Sequence, residues 1–361
     1  MKKGLKGKTW INGGFKEKVL FIEKDKIIFD KTGEFEKVGY IIPPFADGHI
    51  HGGWGYSFQK GDFEVLERKL IENGIFFAIP TLMNDTLENL KIISNKFQKY
   101  KERKPESIFP FLRVEGPFIS KEKSGAQNVF ISVEPTKENI DKFIDIENIK
   151  MFTFAPEIEN AEYLVKESIK KGKIPSIGHS KGSFSDFKKV KNLGVKHFTH
   201  FPNALSGLHH REIGLVGAAL YYDDLYIEII GDMIHSSEKF LKLVYKIKKG
   251  SFSIVSDLIP PHKSNQKESD GKKIIRSGRK ITDERGILLG GDTLLPEQFR
   301  LLFNIGFSLD DLISMGCINN RKFFDFEEPS LDKGSKASFI VLNDDMQIKY
   351  IFYKGKEICS L

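Results

Sequence analysis

The sequence predicts an α/β fold: a (β/α)8 TIM-like barrel with a small β-sandwich domain formed by both chain termini. Three observations in the 361-residue chain support this prediction. The middle of the chain alternates strand and helix patterns, both ends carry only strand patterns, and metal-binding residue types follow several predicted strands. In such a barrel the carboxyl ends of the strands surround one pocket, so residues far apart in sequence meet there.

The two ends of the chain predict the small β domain. Short apolar runs at residues 18–22 and 26–29 flank a turn, and similar runs occur at 337–342 and 348–353. Termini of folded chains often lie close together, so both ends can contribute to one sheet. We therefore expect residues 1–43 and 336–361 to form the β domain and residues 44–335 to form the barrel domain.

The middle of the chain contains the eight strand patterns that a closed barrel requires. Apolar residues three or four apart between these strands predict the intervening helices, for example at 63–73, 87–100, 161–171, 184–193 and 236–248. Residues 258–295 interrupt the alternation with a long loop or hairpin, which fits either an active-site lid or a solvated surface excursion. The predicted strands end at His49 and span 76–81, 109–115, 151–154, 174–179, 197–200, 226–230 and 253–257.

The composition limits the classes of function. The net charge is +7 and the pI is about 9.0, a balance that a nucleic-acid-binding protein would have. The lysines are nevertheless scattered among acidic residues without a basic run, which favours solvated surfaces, and some of the charge can attract an anionic substrate. Two cysteines, Cys317 and Cys359, form no disulfide framework, and no apolar stretch predicts a signal peptide or a membrane span. We expect a soluble cytoplasmic protein without membrane or nucleic-acid partners.

Six residues at the ends of predicted strands suit a metal-dependent active site. His49 and His51 alternate along an extended segment, so both imidazoles face the same side. Lone histidines at such positions are often structural, and a buried carboxylate often pairs with Arg or Lys, so each residue alone is weak evidence. Together they predict a site for one or two divalent cations with an acid/base carboxylate beside it. The six residues are His49, His51, Glu115, His179, His200 and Asp257.

Several short motifs, in one order along the chain, resemble those of the N-acetylglucosamine-6-phosphate deacetylases of the amidohydrolase superfamily. The resemblance covers nearly the whole chain, including the β segments at both ends. The matching stretches are PFADGHIHG at 44–52, VEGPFIS at 114–120, GHS at 178–180, THFPNA at 199–204, HREIG at 210–214, DMIH at 232–235 and SD at 256–257.

The resemblance implies roles for these residues. Glu115, His179 and His200 correspond to the ligands of the principal metal, His49 and His51 to a pair that can hold a second metal, and Asp257 to the general acid/base. Asn203, Ala204 and His235 correspond to substrate contacts, and Arg211 to a phosphate ligand from a neighbouring subunit, which implies a homodimer. An interface salt bridge for Arg211 and a helix N-cap for His235 are the structural alternatives.

Two positions depart from the family pattern. Gln127 stands where the family typically has a histidine that polarises the amide carbonyl; a glutamine amide can still donate a hydrogen bond to an oxyanion but cannot be cationic. Asp292 replaces a small hydroxyl residue near the acyl pocket, where a carboxylate could meet the acyl group. Both departures leave room for a different acyl group or for lower activity.

The reaction that the resemblance implies is metal-dependent hydrolysis of N-acetylglucosamine 6-phosphate to glucosamine 6-phosphate and acetate, in amino-sugar catabolism. Histidine and glutamate ligands accept zinc, iron, manganese or cobalt, and we expect zinc or iron. The alternatives are deacetylation of another hexosamine phosphate such as N-acetylgalactosamine 6-phosphate, hydrolysis of a cyclic amide, and non-catalytic binding of a sugar phosphate. Glu115, in the place of a carboxylated lysine, argues against a cyclic-amide hydrolase, and Asp257 argues against a sensor.

Overall fold

The computed structural model describes residues 3–29, 32–128, 131, 133–269 and 271–360. Its strands are β1 Gly4–Ile11, β2 Gly14–Glu23, β3 Lys26–Phe29, β4 Phe35–Ile42, β5 Phe45–Ile50, β6 Gly52–Gly53, β7 Tyr56–Ser57, β8 Ile75–Leu82, β9 Leu112–Val114, β10 Ile149–Phe154, β11 Ile174–Ile177, β12 His197–Phe198, β13 Tyr226–Ile230, β14 Ser253–Val255, β15 Glu268–Ser269, β16 Lys272–Lys273, β17 Ile275–Ser277, β18 Lys280–Thr282, β19 Phe339–Leu342, β20 Ile348–Tyr353 and β21 Lys356–Ser360. Its α-helices are α1 Phe63–Ile71, α2 Leu87–Arg103, α3 Lys137–Ile144, α4 Ala161–Lys170, α5 Phe184–Lys191, α6 Gly214–Tyr221, α7 Glu238–Lys248, α8 Leu295–Asn304, α9 Leu309–Ile313 and α10 Asn319–Phe323.

Eight parallel strands form the barrel, in the order β14-β13-β12-β11-β10-β9-β8-β5. The first and last strands meet at their carboxyl ends, where the Asp257 amide donates to the His49 carbonyl at 2.9 Å and the His51 amide donates to the Leu258 carbonyl at 2.8 Å. Every residue of β8 is buried, as expected for a strand covered on both faces. The predicted barrel and its eight strands are confirmed, although β9 and β12 are shorter than the sequence pattern suggested.

The helices around the barrel begin at capping residues that the sequence supplies. The Thr86 hydroxyl accepts from the Asn89 amide at the start of α2, and Ser183 and Asp186 form a reciprocal capping box at the start of α5. On α7, Leu241 and Val244 are buried against the barrel. Such short amphipathic helices gain most of their stability from burying one apolar face against the strands.

The two ends of the chain join in one sheet of seven strands, ordered β21-β20-β19-β4-β1-β2-β3. Strand β19 pairs antiparallel with β4, with Val341 opposite Ile41. This sheet confirms that both termini build the smaller β unit. The boundaries that we expect between residues 43 and 44 and between residues 335 and 336 stay a prediction.

Residues 258–294 form an excursion between β14 and α8. It contains two small antiparallel hairpins, β15 with β16 and β17 with β18. The chain then returns to the barrel rim, where Gly291 pairs with Leu258. The excursion therefore ends beside the strand from which it departs, at the same rim where the predicted ligands lie. Within the described ranges, no helix has both the length and the apolar character needed to cross a membrane.

Candidate active site

The predicted metal ligands converge at the carboxyl ends of the barrel strands. Two groups have donor atoms within 4.8 Å of one another: His49, His51 and Glu115 form one, and Glu115, His179 and His200 form the other. Glu115 belongs to both groups, and all five residues are buried. One carboxylate thus stands between two pairs of imidazoles, an arrangement that can hold one or two divalent cations.

The individual distances within the cluster are short. The Nε2 atoms of His49 and His51 lie 3.1 Å apart, as do those of His179 and His200. Glu115 Oε1 lies 2.8 Å from His179 Nε2 and contacts His200 Nε2, while its Oε2 lies 3.4 Å from His51 Nε2. The donor set of imidazole nitrogens and carboxylate oxygens is the set that zinc and iron sites use, so these residues fit a metal.

Two backbone carbonyls determine which imidazole nitrogen is available for a metal. His51 Nδ1 lies 3.0 Å from the Thr81 carbonyl oxygen, and His179 Nδ1 lies 2.8 Å from the Lys123 carbonyl oxygen. A carbonyl can only accept, so each Nδ1 carries the proton and donates it. In the neutral rings the Nε2 lone pairs therefore face the cluster, as in metal sites whose ligands are oriented by outer hydrogen bonds.

The carboxylates and imidazoles of the cluster stabilise one another's charged forms. Burial disfavours the ionised Glu115 carboxyl, but His179 and His200 outweigh burial and hold its pKa well below the usual range. Burial likewise opposes the charged form of Asp257, and His49 and His51 lower its pKa all the same. Burial disfavours the cation of His51, yet hydrogen bonds to Asp257 and Glu115 raise its pKa to about 10. A divalent cation bound there would take the place of the imidazole protons as the positive charge beside these carboxylates.

Three site residues have left-handed backbone conformations, which non-glycine residues rarely adopt. The φ angles are 46° at His179, 30° at His200 and 49° at Asp257. Each residue lies two positions after the end of its strand, β11, β12 or β14. Such strained residues gather at functional sites, where the surrounding structure holds them in place.

A buried ion pair lies beneath the metal-binding cluster. Arg113 Nη1 lies 2.5 Å from Glu228 Oε1 and donates to the Gly48 carbonyl at 3.0 Å, and both charged side chains are fully buried. Arg113 Nη2 also donates to the Thr199 hydroxyl at 2.8 Å. The other Glu228 oxygen lies 3.5 Å from His49 Nδ1. This layer was not predicted from the sequence, although Arg113 on β9 precedes Glu115 by two residues.

Gln127 lies against the cluster. Its amide oxygen accepts from the Asn84 backbone amide at 2.8 Å, which fixes the orientation of the side chain. The amide nitrogen then points towards Glu115 and donates to Oε2. The donor that could meet an oxyanion therefore faces the ligand cluster, and the predicted role of Gln127 in catalysis stays a prediction.

A cavity of about 530 Å³ opens over the cluster. Of the predicted substrate contacts, Asn203, Ala204 and His235 line this cavity, whereas Arg211 lies on an exposed loop and contacts His210 at 2.9 Å. His235 is not the N-cap of α7, a position that Ser237 occupies. Burial disfavours its charged form, but a 2.8 Å hydrogen bond to Asp232 raises its pKa above the usual value.

Asp292 differs from the expectation that its carboxylate meets the acyl group. Its Oδ1 accepts from His262 Nδ1 at 2.9 Å, and its Oδ2 pairs with the Arg276 guanidinium. Neither Asp292 nor Arg276 lines the cavity among the described residues. The neighbouring residues 285–290, which belong to the stretch predicted as either a lid or a surface excursion, do line it.

Residues 40–358 match the family model described as "Amidohydrolase family". The chain belongs to the amidohydrolase family. This membership confirms the predicted hydrolase, and the matched residues cover the barrel and the C-terminal strands of the terminal sheet.

Relatives of this amidohydrolase share its length and architecture. It is 26% identical to the N-acetylglucosamine-6-phosphate deacetylase of Bacillus subtilis, over 97% of this chain and 92% of that protein. The solved N-acetylglucosamine-6-phosphate deacetylase of Thermotoga maritima is 30% identical and superposes with a TM-score of 0.86, covering 100% of this chain and 99% of the other. A deacetylase mutant from Mycobacterium smegmatis, solved with N-acetyl-D-glucosamine-6-phosphate, has the same fold at 18% identity, with a TM-score of 0.89 and 99% coverage of both chains. The resemblance inferred from the motifs is confirmed.

Proposed function

We propose that this protein hydrolyses the N-acetyl group of N-acetylglucosamine 6-phosphate, releasing glucosamine 6-phosphate and acetate. The observation that carries the proposal is the convergence of Glu115, His179 and His200 with Asp257 on one cavity. Relatives over nearly the full length are N-acetylglucosamine-6-phosphate deacetylases, which supports this substrate over other amides.

We propose that Glu115, His179 and His200 hold one divalent ion and that His49 and His51, with Glu115, hold a second. Zinc or iron suits this donor set. A divalent ion bound there supplies Lewis-acid chemistry, which makes water a nucleophile near neutral pH and polarises a carbonyl group. The carbonyls of Thr81 and Lys123 keep the ligand nitrogens of His51 and His179 directed at the site.

Asp257 is the acid/base of the proposed reaction. Its lowered pKa means that the carboxylate is ionised and can take a proton from the attacking water. The same carboxyl group then gives that proton to the amine of the sugar as the amide bond breaks. Gln127, whose orientation Asn84 fixes, donates a hydrogen bond to the oxygen of the tetrahedral intermediate.

The phosphate binds at the opposite end of the cavity in this proposal. Asn203 and Ala204 provide polar backbone and amide groups, and the raised pKa of His235 favours a protonated imidazole, which can donate to a phosphate. Arg211 lies outside the cavity of its own chain, on an exposed loop. We propose that it completes the phosphate site of a second copy in a homodimer, and that the enzyme works in the cytoplasm.

Release of acetate tests the proposed function. The purified protein is loaded separately with zinc and iron, its metal content is determined by elemental analysis, and acetate is measured with three substrates. We expect rapid release from N-acetylglucosamine 6-phosphate, slower release from N-acetylgalactosamine 6-phosphate and little from unphosphorylated N-acetylglucosamine. A preference for the galactosamine compound would establish the alternative deacetylase, and binding without any acetate would establish a non-catalytic sugar-phosphate sensor.

A further inference from the structure

The Asp292 carboxylate links two segments of the excursion, the loop that contains His262 and the hairpin strand that contains Arg276. Its carboxylate is 8% exposed and accepts from His262, which follows β14, at 2.9 Å. The second carboxylate oxygen pairs with Arg276 on β17. Arg276 also donates through Nη2 to the Pro261 carbonyl at 2.8 Å, so the guanidinium links the hairpin both to Asp292 and to the loop after β14. The Asp292 carboxylate is buried, Arg276 is partly exposed, and charge-assisted hydrogen bonds of this kind hold their partners in one geometry.

This fastening fixes the segment that forms one wall of the cavity. Residues 285–290 follow directly after the hairpin of β17 and β18 and line the cavity. Leu289 of this segment forms a small buried cluster with Ile259 and Ile281, with Ala126 packed against it. The wall is therefore held by an apolar cluster at Leu289 and by the ion pair of Asp292, which follows it in sequence.

The wall lies beside the proposed acid/base. The Gly291 amide donates to the Asp257 carbonyl at 2.8 Å, and the Ile259 amide donates to the Gly291 carbonyl at 3.2 Å. Glycine is required there, because a Cβ on Gly291 would lie 2.1 Å from the Ser256 carbonyl oxygen and one on Gly290 would lie 2.4 Å from Ile259 Cγ2. Leu289 and Gly290 line the same cavity as Asp257, so they lie beside the place where a scissile amide would reach the acid/base.

We propose that Asp292 is a positioning residue that, with Arg276 and His262, fixes residues 285–290 as the wall of the acyl side of the cavity. The inference rests on the proposed function in naming the acyl group. The carboxylate that replaces a small hydroxyl residue is then bound by Arg276 and directed away from the substrate. The acyl pocket remains suited to an acetyl group and is rigid enough to select it.

The test compares Asp292→Asn, Arg276→Met and the double variant with the wild-type protein. Arg276 is 35% exposed, so its replacement leaves a folded protein even where Asp292→Asn does not. Lys273→Gln is the matched control, because Lys273 pairs with Glu284 in the same excursion at 3.6 Å with both side chains mostly exposed. Three quantities are measured: bound metal, kcat/KM for N-acetyl and N-propionyl glucosamine 6-phosphate, and the rate of proteolysis within residues 258–292.

We expect the metal content to stay at the wild-type value in every variant. The preference for acetyl over propionyl falls roughly fivefold in either single variant and no further in the double variant, because the two side chains act as one unit. Cleavage within the excursion becomes faster in these three variants and stays unchanged in Lys273→Gln.

Unchanged acyl preference in Arg276→Met, with an active wild-type protein, overturns the proposal. A wild-type protein that releases no acyl group from any sugar phosphate instead contradicts the proposed function. In that case the rate of proteolysis alone tests whether Arg276 and Asp292 hold the excursion in place. Faster cleavage in Arg276→Met supports a fixed wall, and equal cleavage overturns it.

Discussion

Oδ1 of Asp257 lies 3.2 Å from Nε2 of His51. It also lies 3.4 Å from Nε2 of His49. The proposed base thus stands directly beside the imidazoles of the proposed second metal site, and these imidazoles lower the pKa of its carboxyl against the effect of burial. The ligands and the base are therefore one electrostatic unit, in which Asp257 is kept in the form that accepts a proton.

Replacing Asp257 by Asn should remove the proton transfer and leave the metal ligands in place. We expect kcat to fall by roughly 10²–10⁴-fold, the usual size of general acid–base catalysis. The metal content, measured by elemental analysis, should stay at the wild-type value. Asp186→Asn, at the start of α5, is the control and should keep full activity. Near-normal turnover by Asp257→Asn would refute the acid/base assignment.

Replacing Glu115 by Gln should affect both ion-binding groups, because Glu115 belongs to each of them. We expect the bound metal per chain to fall towards zero after dialysis, together with acetate release. The matched control is Glu67→Gln: Glu67 is a buried carboxylate outside the barrel mouth, paired with Lys104. That control should lose stability and keep its metal. Equal metal content in both variants would show that Glu115 is not a ligand.

The buried pair of Arg113 and Glu228 predicts strongly non-additive effects on stability. Glu228→Gln leaves the Arg113 charge without a counter-ion in the barrel interior, which should cost about 3–5 kcal/mol of unfolding free energy. The double variant Arg113→Met with Glu228→Met removes both charges and should recover a large part of this loss. Urea denaturation measures both values. A double variant that recovers none of the stability lost in Glu228→Gln would contradict the pairing.

His197 predicts a loss of stability at acidic pH. Burial, with a further contribution from Arg113, lowers its pKa from 6.5 to about 3 in the folded protein. Between these values only the unfolded state takes up the proton, so the unfolding free energy falls as the pH falls from 6.5, by up to about 1.4 kcal/mol per pH unit.

His197→Gln should show a shallower decline over the same range, measured by urea denaturation at a series of pH values. The exposed His210→Gln is the control and should follow the wild-type curve. A wild-type slope in His197→Gln would mean that other groups cause the acid sensitivity.

Gly291→Ala should disrupt the barrel rim, because the new Cβ would lie 2.1 Å from the Ser256 carbonyl oxygen. The backbone beside Asp257 must then shift, and we expect a lower kcat together with a loss of at least ~1 kcal/mol of unfolding free energy, as for overpacked interiors. Gly14→Ala in β2 has nothing within 4 Å of its Cβ and should behave as wild type. Full activity of Gly291→Ala would mean that the rim can adapt without moving Asp257.

Much of the fold was readable from local patterns. The continuous apolar run of β8 and the alternating helix faces each encode their element, and the histidines and carboxylates that follow the strands predicted the cluster. The partners of Arg113 and Asp292 could not be read in this way. Glu228 lies 115 residues from Arg113, and Arg276 belongs to a hairpin whose position depends on packing at the rim. Residues on different strands of a barrel come together only when the barrel closes. A short stretch of sequence does not show which of them will meet.

The pairing of β4 with β19 also determines an order of assembly during translation. Strand β4 ends at residue 42, and its antiparallel partner begins at Phe339, so the whole barrel is synthesised between them. Until the ribosome releases the last strands, β4 presents an open hydrogen-bonding edge, and such edges invite pairing with other chains. The nascent protein therefore needs the edge of β4 shielded for most of its synthesis. The sheet is completed only when β19 pairs with that edge.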